Sequence, residues 1–561
     1  MSIIATLQSG LASLILVNGH VLTVDPQHPV VEAVAISDGR ILAVGTNAQI
    51  RSLAKPETQV IDLHGRTATP GLIDTHAHIA QGGVQKLYEV QLSDARDIAE
   101  VRRRVAAQAA KLKPGDWLVG SGWDEGKLAE HRYILAKDLD DVASANPVWL
   151  EHTTGHYGVA NSQALKLAGI NAKTPNVAGG TIDRDSSGRP TGVLKEGAQS
   201  ALDNVIPPST VAQERNGILA SIEEMHREGM TGVKDPNISP TEWEAYEALD
   251  REGKLQAHVC ILWRSKPTLD NARELIAQIG KLPKPPQAIH TNLISCGVKI
   301  FMDGSGGART AWMYADWNKN RTETDTGNHG YPLIDPGVYR DAVRLYNDAG
   351  IHVATHAIGD RAIDWVVDTY AEALQKHPMK GLRHAIIHAN TPTDHAIEVM
   401  AALQRDFDAG YPETQAPFNW WIGDNYAGNL GPQRAQRLNP YHTYAERGIR
   451  WGGGSDYPVT PLPARYGLWA SVVRTTMSGR YGAQPFGTAE SVDIQTALKS
   501  YTLWAAHQLF LDAQTGSLEP GKSADIAVWD KDLTRVPSAE LKDLKCELTL
   551  FRGTVVYQAT H

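Results

Sequence analysis

Two histidines, His76 and His78, end the apolar run Thr69-Pro-Gly-Leu-Ile-Asp-Thr-His-Ala-His78. On a strand, an i, i+2 spacing puts both imidazoles on one face. Two imidazoles on one face make half of a tetrahedral transition-metal site. Four later segments carry groups of the same kind: Gly297–Asp303 holds Lys299, Ile351–His356 and His384–His388 each end in histidine, and Ile449–Asp456 runs through three glycines to an aspartate. Short apolar segments separated by helical patterns, each presenting a polar group, are how a (β/α)8 barrel gathers a site at the C-terminal ends of its strands. Taken singly, His-x-His reads equally well as a polar strand end, and Asp456 as a turn or helix-cap residue. The ordered series favours a metal site.

The elements that must position these groups follow from the surrounding patterns. Residues 13 to 66 alternate short β-type runs (Leu14–Val17, Ala33–Ile36, Ile41–Val44) with glycine turns in an antiparallel style, and residues 524–529 and 548–557 repeat it. Neither end has enough strands for independent stability. Residues 1–66 and 515–561 are therefore expected to form one composite β-sandwich beside a barrel of residues 67–514. Gly232–Lys234 and His258–Leu262 read as the second and third barrel strands, and residues 218–228 and 362–374 as helices. The stretch 80–210 is too long for a βα connection. It reads as an inserted α/β subdomain over the barrel mouth, where it would shape a substrate pocket. The fold class is thus α/β: a distorted (β/α)8 TIM barrel with a composite sandwich and an inserted subdomain.

The motifs Pro70–His78, Val298–Ser305, His356-Ala-Ile-Gly-Asp-Arg361, Gly454–Val459 and Gly516–Asp525 together resemble the amidohydrolase superfamily, metal-dependent hydrolases on a distorted barrel. The nearest resemblance is to the subgroup that includes N-substituted formamide deformylases, amidohydrolase family 3. It implies that His76, His78 and Asp456 hold one divalent ion and His356 and His388 a second, with zinc the expected metal. Lys299 would bridge them: a neutral amine reacts with carbon dioxide to give a carbamate, whose two oxygens span metals roughly 3.5 to 4 Å apart. The ordinary alternative is a lysine paired to Asp303 or Glu196. Asp456 is suited to carry a proton from the attacking water to the leaving nitrogen. Where the subgroup has Glu-His on strand six, this chain has Ile387-His388.

Weaker candidates surround this set. His156 and Glu196 lie in the inserted region and are read as substrate contacts, with a core histidine and a surface carboxylate as the plain alternatives. Trp312, Trp420 and Trp421 are read as lining an apolar, aromatic substrate pocket and Arg309 as binding a substrate carboxylate, with core packing and a structural ion pair as the plain alternatives. His384 is placed behind His388 as support for the ligands.

A net charge of −9 over 561 residues, 42% apolar and 21% charged, describes an ordinary soluble globular protein without the clustered Lys and Arg of a nucleic-acid surface. The triplet Arg102–Arg104 reads as a solvated helix face. No run of 18 apolar residues exists, and the apolar opening stretch lacks a basic lead, so no membrane partner is expected and the cytoplasm is the expected compartment. The three cysteines, Cys260, Cys296 and Cys546, read as core thiols rather than a disulfide framework. The leading expectation is a binuclear metal enzyme hydrolysing the C–N bond of a small-molecule amide with an apolar or aromatic group, as a monomer or homodimer. Alternatives are a cyclic amide, lactone or other ester on the same metal pair, and, in another class, a non-catalytic regulator keeping the fold. A mononuclear deaminase fits less well, because its family pattern places a Glu soon after the strand-five histidine.

Overall fold

The computed structural model describes residues 11–283, 285, 291–317, 327–477, 479 and 486–560. The first ten residues of the apolar opening stretch lie outside that range. At the centre is one eight-stranded sheet, in chain order β1 (Leu72–Asp74), β2 (Met230–Ile238), β3 (His258–Arg264), β4 (Leu293–Phe301), β5 (His352–Ala357), β6 (Ala385–His388), β7 (Tyr411–Thr414) and β8 (Gly452–Gly453). Each strand pairs in parallel with the next. Helices cover the outside, among them Val211–Arg227, Pro240–Arg251, Pro336–Asp348 and Asp360–Lys376. Burial on both faces explains why the strands read as continuous apolar runs rather than alternating ones.

The barrel closes unevenly. Thr75 donates its N–H to Gly453 O at 3.0 Å, but Ile73 N–H goes to Tyr501 O at 2.7 Å instead of to β8. The Tyr501 ring fills the seam, and a Cβ at Gly453 would lie 2.3 Å from it, so only glycine fits there. A register shift in the β3–β4 ladder, between the Ile261–Ser295 and Leu262–Gly297 pairs, has a second effect. Before the shift Ile294 and Cys296 pack in the barrel bore with Leu262 and Ile387; after it Val298 and Ile300 pack outward with the helices. The change of parity turns Lys299 inward.

Strands from both ends of the chain share one six-stranded sheet, in which Ile526–Trp529 pairs antiparallel with Thr67–Pro70. A four-stranded sheet of residues 12–62 packs on it through Leu16, Val34, Ile526 and Leu550. The N-terminal region is not purely antiparallel: Ala12–Val17 runs parallel to Ala54–Asp62, because the helix Asn47–Arg51 carries the chain back across the sheet. Residues 90–196 form a separate six-stranded mixed sheet with two apolar clusters of its own, centred on Trp123 and on Trp149.

One expectation is overturned. Cys260 and Cys296 are joined as a disulfide, their Cα atoms 5.7 Å apart on β3 and β4, and Cys546 alone is a free, buried thiol. Sequence separation concealed the pair, since only the parallel alignment of two strands 36 residues apart makes them neighbours. Arg102 and Arg104 are paired at the surface with Asp141 and with Asp94 and Glu100.

Candidate metal centre and cavity

The seam between β8 and β1 builds the first half of the site. Asp74, at the end of β1, accepts the backbone N–H of His76 at 2.8 Å and of Ser455 at 3.0 Å. Asp456 N–H donates to His76 O, and His78 N–H to Tyr457 O, each at 2.7 Å. These four bonds lock the first and last strand ends together. As a result Oδ1 of Asp456 lies 3.2 Å from Nε2 of His76 and 3.4 Å from Nε2 of His78. Ligands at about 2.0–2.1 Å around a tetrahedral ion stand about 3.4 Å apart, so the three atoms are spaced to share one.

The other half comes from β4, β5 and β6. Lys299 Nζ is 3.5 Å from His76 Nε2. The His388 ring lies 5.4 Å from that of His76 and 4.5 Å from that of His356. His388 Nδ1 meets Gln415 Oε1 at 2.6 Å, which leaves its Nε2 for the cavity side. Asp303 accepts the backbone N–H groups of Trp312, Ile358 and Gly359 and sits 3.3 Å from His356 Nδ1, off the line of a hydrogen bond. Both ring nitrogens of His356 are buried without a hydrogen-bond partner. Orphaned buried nitrogens are costly and rare, so a histidine–aspartate–lysine set left in that state fits a divalent cation.

Charge agrees with ligation. Burial holds His76 and His356 well below their ordinary pKa, and Lys299 and His388 respectively add to that; burial also takes His388 down to about 3. Neutral imidazole is the form that binds metal. The His76–Asp456 contact is thus neutral ring against carboxylate, not an ion pair. Burial alone would raise Asp456, but the His76 and His78 contacts outweigh it and hold the carboxyl well below its usual range. Burial lowers Lys299 to about 7, against the pull of Asp456 and Glu413. Asp303 is pushed up to about 7 by burial, despite its backbone donors. Strain gathers here too: His388 (φ 73°), Asp456 (φ 56°) and Glu196 (φ 50°) lie in the left-handed region, roughly 1–3 kcal/mol each for residues with a Cβ.

All six lie in the wall of one cavity of about 680 Å³, together with His156, Glu196 and Trp421. Phe301, Ile334 and Val459 give it an apolar side. The inserted sheet supplies the far wall, where His156 Nδ1 meets Glu196 Oε2 at 2.9 Å and its ring stands 5.0 Å from His356. Burial lowers the His156 pKa, but Glu196 more than reverses that. Lys299 pairs with neither Asp303 nor Glu196, whose oxygens are engaged by backbone donors and by His156 and Thr310.

Three residues expected near the substrate, and one expected behind the ligands, stand elsewhere. His384 begins its strand segment about 13 Å down from His388 at 3.3 Å per residue. Its nitrogens meet Val353 N–H and Asn347 Oδ1, so it braces the far end of the barrel rather than the ligands. Trp312 stacks under Arg361, and Trp420 packs on Tyr466 and Trp469; neither lines the cavity, nor does Arg309. Aromatic composition placed them near the pocket, but helix and loop packing turned them away. Sequence reasoning missed Asp74, Gln415 and the whole of β7, and named Asp303 only as an alternative partner of Lys299. Pro412 inside that short strand weakened its pattern, whereas Asp74 stood in a quoted motif and could have been flagged.

A parallel barrel with histidine, lysine and aspartate converging at the C-terminal strand ends is the architecture of a metal-dependent hydrolase. The amidohydrolase family model matches residues 59–557, and the chain belongs to that family. It is 30% identical over 569 residues to the N-substituted formamide deformylase of Arthrobacter pascens, covering 98% of both chains. It is 28% identical over 554 residues to the Protein LONG AFTER FAR-RED 3 of Arabidopsis thaliana, covering 93% of this chain and 88% of that one. A crystal structure of an uncharacterized metal-dependent hydrolase from Pyrococcus horikoshii OT3 superposes with a TM-score of 0.71 at 25% identity, over 94% of this chain and 99% of that one. The protein is a hydrolase acting on C–N bonds. Among the described residues no helix is long and apolar enough to cross a membrane.

Proposed function

We propose that the protein is a binuclear metal amidohydrolase that cleaves the C–N bond of an amide carrying an apolar or aromatic group. The observation that carries this reading is the convergence of His76, His78, Lys299, His356, His388 and Asp456 on one cavity, with buried nitrogens left unbonded. His76, His78 and Asp456 would hold one ion, zinc by the chemistry of the donors, and His356 and His388 the other. Two such ions supply a nucleophilic water at neutral pH and a polarised carbonyl. The similarity to a formamide deformylase supports an amide substrate.

The chain's own residues do the rest. Lys299, buried and lowered to about 7, could offer its Nζ lone pair to carbon dioxide; an N–C bond would form, one proton would leave, and the carbamate oxygens would be available to hold metal. Asp456 accepts the proton of the attacking water at a carboxylate oxygen. It returns that proton to the nitrogen as the C–N electron pair leaves with the amine. The apolar wall of Phe301 and Val459 receives the N-substituent.

The test is metal analysis of the purified protein joined to hydrolysis of an amide panel led by N-benzylformamide and formanilide. Turnover of amides at two metal equivalents is the expected result. A protein that binds no metal, or that opens lactones and leaves every amide intact, would overturn the reading.

A further inference from the structure

His156 and Glu196 come from the inserted subdomain and take no part in the ligand set. Glu196 ends the strand Pro190–Glu196 and donates its own N–H to His156 O at 2.8 Å, which fixes the two side chains side by side. Gly304 leaves room for this arrangement, since a Cβ there would stand 2.3 Å from Glu196 Oε1.

The direction of each proton can be followed from the backbone inward. Ser305 N–H donates to Thr310 Oγ1 at 3.0 Å, so that hydroxyl is left to donate to Glu196 Oε1, at 2.5 Å. The second carboxylate oxygen, Oε2, faces His156 Nδ1 at 2.9 Å. A carboxylate only accepts, so the ring carries a proton on Nδ1, and in its neutral form, the one an alkaline pH favours, the lone pair is on Nε2. That ring lies in the cavity wall beside His356.

We propose that Nε2 of His156 accepts the N–H of the scissile amide, so that the cavity selects N-monosubstituted amides over N,N-disubstituted ones. The proposal rests on the amide-hydrolase reading above and names its substrate class. His156 is then a substrate-binding residue and Glu196 a positioning residue that sets its tautomer. A disubstituted amide would bring a methyl where the lone pair needs a donor, and the buried nitrogen would go unpaired.

The measurement compares N-benzylformamide with N-benzyl-N-methylformamide at pH 9. Binding is followed by calorimetry in the Asp456→Asn background and kcat/KM in the otherwise native protein. The native ring should prefer the secondary amide by on the order of 10- to 100-fold, and His156→Ala should collapse that ratio with metal content unchanged. Glu196→Gln should collapse it as well although the imidazole stays: Oε1 remains with Thr310, the new amide N–H₂ faces Nδ1, and the ring proton moves to Nε2. His156→Gln, which keeps an acceptor oxygen, should recover part of the preference. Equal losses on both amides, or loss of metal from His156→Ala, would overturn the assignment. Selective binding without turnover of either amide would sustain the role of His156 and overturn the hydrolase reading instead.

Discussion

Two lysines lie inside the barrel, on β2 and β4, and differ in what faces them. Lys234 and Glu413 are wholly buried and make a tight ion pair across the bore. Burial pushes Lys234 down and Glu413 up, while each opposes the shift of the other. Lys299 is 1% exposed, yet its hydrogen-bond neighbour is a neutral histidine, His76, and it is taken down to about 7. The same side chain is thus a structural cation at one site and a poised amine at the other. A matched carboxylate in contact makes the difference.

Removing the poised amine should have the largest effect. Lys299→Ala is expected to lose metal and with it on the order of 10⁶-fold or more of the rate enhancement, with partial recovery when a short carboxylic acid supplies the bridge. Metal content and kcat with and without propionate are the readouts, and full metal with full activity would abolish the contrast between the lysines. Next is Asp456→Asn, which keeps an oxygen ligand but cannot move a proton: kcat should fall about 10²- to 10⁴-fold with most metal retained. A near-native rate in that variant would take Asp456 out of the proton path.

The structural lysine predicts a loss of stability instead. Glu413→Gln strands a buried ammonium and should cost about 3–5 kcal/mol in chemical denaturation, most of it recovered in the double variant Lys234→Met/Glu413→Leu. The smallest effect is on pH. In the metal-free protein the folded Lys299 titrates at about 7, against an ordinary value of 10.5. Between those values the unfolded chain binds the extra proton, so stability should rise with pH from 7 to 9, by up to about 3 kcal/mol from this group. Below pH 7 both states are protonated and the contribution is flat. Lys299→Met should remove the slope; a slope that survives belongs to other groups.

Much of the design could be read from residue order. His76 and His78 after an apolar run, then Lys299, His356, His388 and Asp456 at later strand ends, indicate a barrel and the side chains that meet in its cavity, because strand period and the C-terminal location of barrel sites are local rules. The long stretch after the first pair signals an insertion by length alone. What residue order could not settle depends on atoms brought together from distant segments. The Cys260–Cys296 bond needs the register of two strands, and the inward turn of Lys299 needs the shift beside it. Asp74 joins His76 to Ser455 across 381 positions, and Glu413 finds Lys234 across 179. Helix packing turned Trp312 and Trp420 away from the cavity. Composition and period determined which groups face a strand end, whereas only the closed barrel decided which of them touch, since pairing, protonation and tautomer depend on contacts of a few ångströms that no spacing along one chain specifies.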